Sequence, residues 1–308
     1  MPNAREVKVI SEIMGSLQIP INVGNLLIHS LNTGKIYRVG DEDQLEKALE
    51  YVEPFDTIIL EDGTYNISLE VKKPLTIIGS KSAILQSENV VINVPVDVRV
   101  NLVGFKAVRN YQYGSVINYW GRGKILGLTI EGGSWGIMLA GMLTQVLFNV
   151  IQNFSTAGIS LRQSGHFIGF NTIISDGSQY KEGMVVSPGV SAGNIPGSTA
   201  LVYNSLINIF TGIVVSGTVG LVVSSNIISA IRAGVVLTSA PGIQPVPSSG
   251  TKVVYNTIFP YGTTLDYGIQ EQQGQTKSNF IAGNTVIATN PIVVYDQNTV
   301  QIGNVFGW

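Results

Sequence analysis

The sequence has no cysteine, only two histidines and only 12% charged residues in 308. The missing thiols exclude a disulfide framework, thiol catalysis and thiolate metal sites, and leave the compartment open. His29 and His166 lie far apart without ligand-like carboxylates beside them, so no metal centre and no cofactor is expected. A P-loop, a dinucleotide fingerprint in a β-α context and a G-x-S-x-G elbow are all missing. With a net charge of -2 and a pI near 5.7, nothing calls for a nucleic-acid partner. No apolar run reaches membrane-spanning length, and MPNAREVKVISEIMGSLQIP has no apolar core of signal-peptide size. Membrane insertion is therefore not expected, and neither is a recognisable signal peptide, although a processed leader stays open.

The few charges are unevenly placed. Residues 1 to 100 hold 14 of the 20 acids, and positions 101 to 308 carry only 15 charged residues. The C-terminal two thirds must be solubilised by Asn, Gln, Ser, Thr, Tyr and Gly, a surface suited to neutral hydrogen-bonding partners such as sugars and other protein chains.

AREVKVISEIMGS, residues 4 to 16, has the spacing of a short amphipathic helix, and residues 21 to 39 read as two strands around LNTGK. A second helix is predicted over residues 41 to 52, with Asp41 and Gln44 at capping-box spacing and an apolar stripe of Leu45, Ala48, Leu49 and Val52. From Asp56 onward the chain breaks into short Val/Ile-rich runs separated by Gly, Pro, Asn or Ser, which predicts strands at close intervals.

These runs repeat. Asn149, Asn171, Asn204, Asn226, Asn256, Asn284 and Asn304 each hold the same place in an apolar pattern, at intervals of 22, 33, 22, 30, 28 and 20 residues. Between them recur Gly136, Gly158, Gly183, Gly212, Gly234 and Gly268, with Pro291 as a variant. Short strands repeating every 20 to 30 residues without helices are what a β-solenoid requires, because each coil buries its faces only by stacking on neighbours. A propeller needs longer repeats, and a sandwich need not repeat at all.

The alternation of G-I-x-V with V-x-x-N-x-I resembles the parallel β-helix repeats of the pectate-lyase-like superfamily, which includes polysaccharide lyases, esterases, hydrolases, epimerases and virus tailspikes. The opening segment YRVGDEDQLEKALEYVEPFDTIILEDGTYNISLEVKKPLTIIGS is similar too, with a helix capping the first coil before a D-T-I-x-L-x-x-G-x-Y strand. The resemblance spans residues 36 to 308 and implies a single right-handed, single-stranded parallel β-helix, all-β, with an N-terminal helical cap. Residues 1 to 35 would be a leader or attachment segment. The resemblance also implies an asparagine ladder, and trimerisation is common among β-helix spikes.

Equivalent residues in stacked coils lie ~4.8 Å apart, so the seven asparagines are expected to form a ladder at a sharp bend, with Asn tolerating left-handed backbone. The repeated glycines are expected at coil corners, where side chains clash or the chain turns tightly. Residues beyond the minimal coil are loops. VSPGVSAGNIPGST, TSAPGIQPVPSSGT and EQQGQTKS all leave at the same turn, so stacking should gather them into a binding edge.

Two residue groups are candidates for chemistry. Arg162, His166, Asp176, Lys181 and Glu182 fall within about one coil; if they converge they supply an acid/base pair with a cation, and otherwise they are solvated turn charges. The catalytic sets of the enzymatic relatives are not matched: no acidic cluster follows residue 100, Asn171-Thr172 is followed by Ile173, no Asp-Asp pair exists, and Gly165-His166 is followed by Phe167. The second group, Lys106, Arg109, Tyr111, Tyr113, Tyr119, Trp120 and Arg122, with Lys124, would suit a sugar ring, a protein interface, or plain packing.

The expectation from sequence is a non-catalytic surface or virion spike or fibre subunit, extracellular or on a virion, binding glycans, a host surface or neighbouring subunits. The alternative is a polysaccharide lyase, hydrolase or epimerase.

Overall fold

The computed structural model describes residues 34–163, 165–187, 199–240 and 246–307. The expected leader, with its helix over residues 4 to 16, lies almost wholly outside the described residues. Helix α1, Glu42–Tyr51, starts at the N-cap Asp41, whose carboxylate accepts the Gln44 N–H at 2.8 Å. Gln44 Oε1 returns to the N–H of Gly40 at 3.0 Å, one residue earlier than in the usual capping box. Leu45, Ala48 and Val52 are buried, so α1 closes the N-terminal end of the core.

The remainder is a parallel β-solenoid of about 12 turns with three faces. The first face is a 12-stranded parallel sheet running from Ile36–Val39 to Val300–Ile302. Because side chains alternate across a strand, every second residue points inward. Ile58, Ile77, Leu102, Ile125, Val146, Ile168, Leu201, Val223, Val253 and Ile281 consequently stack in register as one fully buried column. Each such side chain stabilises the fold by about 1.5–3 kcal/mol through burial. The second and third faces form one 19-stranded sheet, since strands Ser205–Ser216 and Ile227–Thr238 run unbroken through the bend between them. Ile130, Ile151, Ile173, Leu206, Ile228, Ile258 and Val286 line the second face inside, and Ile137, Ile159, Met184, Ile213, Val235 and Ile269 the third.

The left-handed expectation for the asparagines needs correction, and of the two reasons expected for the glycines the clash holds and the tight turn does not. The left-handed residue at the first corner is the one before each asparagine: Phe148, Phe170, Tyr203, Ser225 and Tyr255 have φ of 54–58°, and Gly283 and Gly303 have 63° and 62°. This placement reverses the chain one residue early and turns the asparagine side chain inward, where it is buried. The repeated glycines lie inside third-face strands without positive φ, so no tight turn requires them. What requires them is crowding: a Cβ on Gly212 would meet Gly234 O at 2.4 Å and Ile228 Cγ2 at 2.5 Å.

Candidate functional site

The buried asparagines form one continuous chain of amides. The Nδ2 groups of Asn149, Asn171, Asn204, Asn226, Asn256 and Asn284 each donate to the Oδ1 of the next asparagine at 2.9–3.0 Å. That same oxygen accepts the backbone N–H of the asparagine one coil earlier, for example Asn171 N to Asn204 Oδ1 at 3.0 Å. At the start, Asn149 Oδ1 accepts the Leu128 N–H at 2.9 Å, because Leu128 holds this place in the preceding coil. From Asn149 to Asn284 both ends of every amide are used internally, so the buried ladder has no capacity left for a ligand.

A second row, polar except at Leu221, lies five residues earlier, where each strand of the first face begins: Thr144, His166, Thr199, Leu221, Thr251, Asn279 and Thr299. Here too side chains cap the N–H groups of the coil before. His166 Nδ1 accepts from Thr144 N at 3.3 Å, Thr199 Oγ1 from Gly165 N at 2.9 Å, Asn279 Oδ1 from Thr251 N at 2.9 Å, and Thr299 Oγ1 from Asn279 N at 3.1 Å. Glu271 is fully buried beside this row; Oε1 accepts from Asn279 Nδ2 and Thr299 Oγ1, and Oε2 from the N–H groups of Tyr295 and Asp296.

The expected catalytic group does not converge. His166 is a buried rung of the second row, 1% exposed, and burial pushes its pKa down to about 4. Lys181 pairs with Asp176 at 2.9 Å in the loop between the second and third faces. Hydrogen bonds from the Ser178 N–H and hydroxyl, and then Lys181, hold Asp176 well below the usual carboxylate range. Glu182 opens a third-face strand level with Ala157, whereas Arg162 follows the far end of the Ala157–Leu161 strand. At ~3.3 Å per residue, Ala157 and Arg162 are roughly 16 Å apart along the strand. Burial raises the Glu182 carboxyl and nearby Arg232 partly offsets it.

The basic and aromatic group is split over three faces. Lys106 lies on the second face, paired with Glu131 at 2.9 Å, and Arg109 ends the same strand with Nη1 donating to Ser115 O at 2.7 Å. Tyr111 and Tyr113 sit at an exposed loop tip with centroids 5.4 Å apart. Trp120 Nε1 donates to Asn118 Oδ1 at 2.9 Å, and Arg122 lies on the first face beside Asp97 at 3.3 Å. Tyr119 is removed from any binding surface: it is fully buried, with its hydroxyl 2.5 Å from Val100 O and 2.6 Å from Arg122 O. Inward alternation on the Ser115–Tyr119 strand places it there.

The loops that leave the third face do gather where they can be seen. Ser248–Ser249 pairs in parallel with Thr276–Lys277, joining two successive insertions. Thr238 Oγ1 reaches Gln272 Oε1 at 2.6 Å, and Ser239 Oγ donates to Gln275 Oε1 at 3.2 Å. Both glutamine oxygens are thus fixed, and neither Nε2 group has an acceptor among the described residues. The result is a ledge of neutral hydroxyls and amides beside the outer row Met138, Ser160, Val185, Val214, Val236 and Gln270 of the third face. Most of VSPGVSAGNIPGST lies outside the described residues.

Among the described residues, no three His, Asp or Glu side chains group as metal ligands. The carboxylates of Glu131, Asp176, Glu271 and Asp296 are each engaged by protein donors.

No protein-family model matches the sequence, and no curated protein matches it. Solved structures do. Pectate lyase Pel9A superposes with a TM-score of 0.63 at 12% identity, over 87% of this chain and 79% of that one. The Dettilon tailspike protein gives 0.52 at 13%, over 86% and 64%, and the A-module of an Azotobacter vinelandii mannuronan C-5 epimerase gives 0.51 at 16%, over 87% and 94%. The chain therefore has the right-handed parallel β-helix fold that these structures share.

Proposed function

We propose that the protein is a non-catalytic glycan-binding β-helix, a surface or virion spike-type subunit outside the cell, that holds neutral sugar hydroxyls along the ledge and the outer third face. The observation carrying this reading is the pair of Nε2 donors on Gln272 and Gln275, pre-oriented because their own carbonyls are bound by Thr238 and Ser239. Fold likeness to a tailspike and to polysaccharide-active enzymes supports a glycan partner, and the scattered acid/base residues favour binding over turnover. Assembly with copies of itself as a trimer, and attachment to a neighbouring protein through residues 1–35, belong to the same proposal.

The test is binding of a soluble oligosaccharide panel by calorimetry. The Gln272→Ala/Gln275→Ala double variant is expected to bind at least about tenfold more weakly while staying fully folded at the assay temperature, with only a modest fall in melting temperature from the lost bonds to Thr238 and Ser239. Failure of the wild type to bind any member, or undiminished binding by the variant, would overturn the reading. A second reading, a polysaccharide lyase, hydrolase or epimerase, is favoured by one feature: Glu182, a partly buried carboxyl with a raised pKa near Arg232, at the start of a third-face strand.

A further inference from the structure

The first face carries a different feature near its N-terminal end. Phe55, Leu75, Thr76, Arg99 and Asn101 line a cleft of about 220 Å³. That volume lies below the ~300–1,000 Å³ of pockets for drug-sized ligands, so the cleft suits a single ring or a short chain. Thr57, Thr76, Asn101, Lys124 and Gln145 form one outward row in register, which puts Lys124 one coil above Asn101, while Arg122 is in register with Arg99.

Three kinds of unmet demand meet there. Asn101 Nδ2 donates to Thr76 Oγ1 at 3.1 Å, but Asn101 Oδ1 is buried without a partner, an arrangement that is unfavourable unless a donor arrives. Arg99 and Lys124 have no carboxylate within 4.0 Å among the described residues, unlike Arg122, which has Asp97. Burial, and secondarily Arg99, push the Lys124 ammonium below its ordinary pKa, so two like charges are held close together. Phe55, more than half exposed at φ 74°, supplies an apolar wall.

We propose that this cleft binds a small hydroxylated carboxylate whose carboxylate lies between Arg99 and Lys124, whose hydroxyl donates to Asn101 Oδ1, and whose C–H face rests on Phe55. A fully ionised inorganic anion answers the cations but brings no donor for Oδ1. A neutral sugar brings donors but leaves the cations facing each other. Only a ligand with both groups meets every demand. The chemistry is shared by a free hydroxy acid and by an acidic sugar unit within a larger glycan. The site lies several coils nearer the N-terminal end of the first face than the ledge and does not depend on it.

The experiment is calorimetric titration of the full chain with gluconate, the methyl glycoside of glucuronate, glucose, cyclohexanecarboxylate and sulfate. One of the first two should bind at least about tenfold more tightly than the last three, and which of them binds better identifies a free acid or a sugar unit as the source. Lys124→Gln and Asn101→Leu should each lose about tenfold, with Arg99→Gln, on an exposed side chain, as a variant that leaves packing untouched. The Gln272→Ala/Gln275→Ala protein should bind these acids as the wild type does, which separates this site from the ledge. Binding of neither hydroxy acid, equal binding of sulfate or cyclohexanecarboxylate, or wild-type affinity in folded variants overturns the proposal.

Discussion

Asn171 Oδ1 accepts two hydrogen bonds from Asn149, one from its backbone N–H at 3.0 Å and one from Nδ2 at 2.9 Å. Each rung thereby satisfies the backbone and the side chain of the coil before it. The corner needs this because its N–H groups face inward, away from water and from the strand ladders.

Removing a central rung should therefore cost far more than removing a terminal one. Asn204→Ala strands the N–H and Nδ2 of Asn171 in the core, and at about 1–3 kcal/mol for each buried unsatisfied group a loss of about 3 kcal/mol is expected. Asn304→Ala, at the last and less buried corner, should cost about 1 kcal/mol. Urea unfolding of the two variants checks the ratio; equal losses would contradict the ladder as the source of stability.

The third-face glycines give a second contrast. Gly212→Ala puts a methyl group 2.4 Å from Gly234 O, and overpacking of this kind costs about 1–3 kcal/mol or more. Gly274 has nothing within 4 Å of its ideal Cβ, so Gly274→Ala meets only the penalty of its φ of 69°, about 1 kcal/mol. Thermal melts of both proteins should separate by several degrees, with Gly212→Ala the lower.

His166 makes stability depend on pH in a defined window. Its folded pKa of about 4 lies below the unfolded value of 6.5, so the unfolded chain takes up the proton first as pH falls. Its contribution is complete above pH 6.5 and is lost between there and about pH 4, up to about 3 kcal/mol. His166→Asn should flatten this part of the profile, and a wild-type curve level from pH 7 to 4.5 would contradict the burial argument.

Tyr119→Phe separates structure from binding. Loss of the hydroxyl bond to Val100 O or Arg122 O should cost about 1–2 kcal/mol in unfolding measurements while leaving glycan affinity unchanged.

How much of this was legible in the sequence follows from coil geometry. The asparagine ladder could be read because one residue type recurs at one place. The second row escaped notice because its rungs are Thr, His, Leu and Asn by turns; only the constant offset of five residues before each ladder asparagine marks it. His166 read as chemistry for that reason. The stretch from Lys106 to Lys124 looked like one patch, yet it crosses three faces, since a coil closes in little more than twenty residues. The Arg99–Lys124 cleft was missed because its residues are contributed by four successive coils.

The central claim is that this β-helix holds a glycan without cleaving it. The most direct measurement is prolonged incubation of the protein with the oligosaccharide it binds most tightly, followed by mass analysis of the sugar. The account predicts recovery of the intact glycan with no new reducing ends or unsaturated products; turnover that disappears in Glu182→Gln would contradict it.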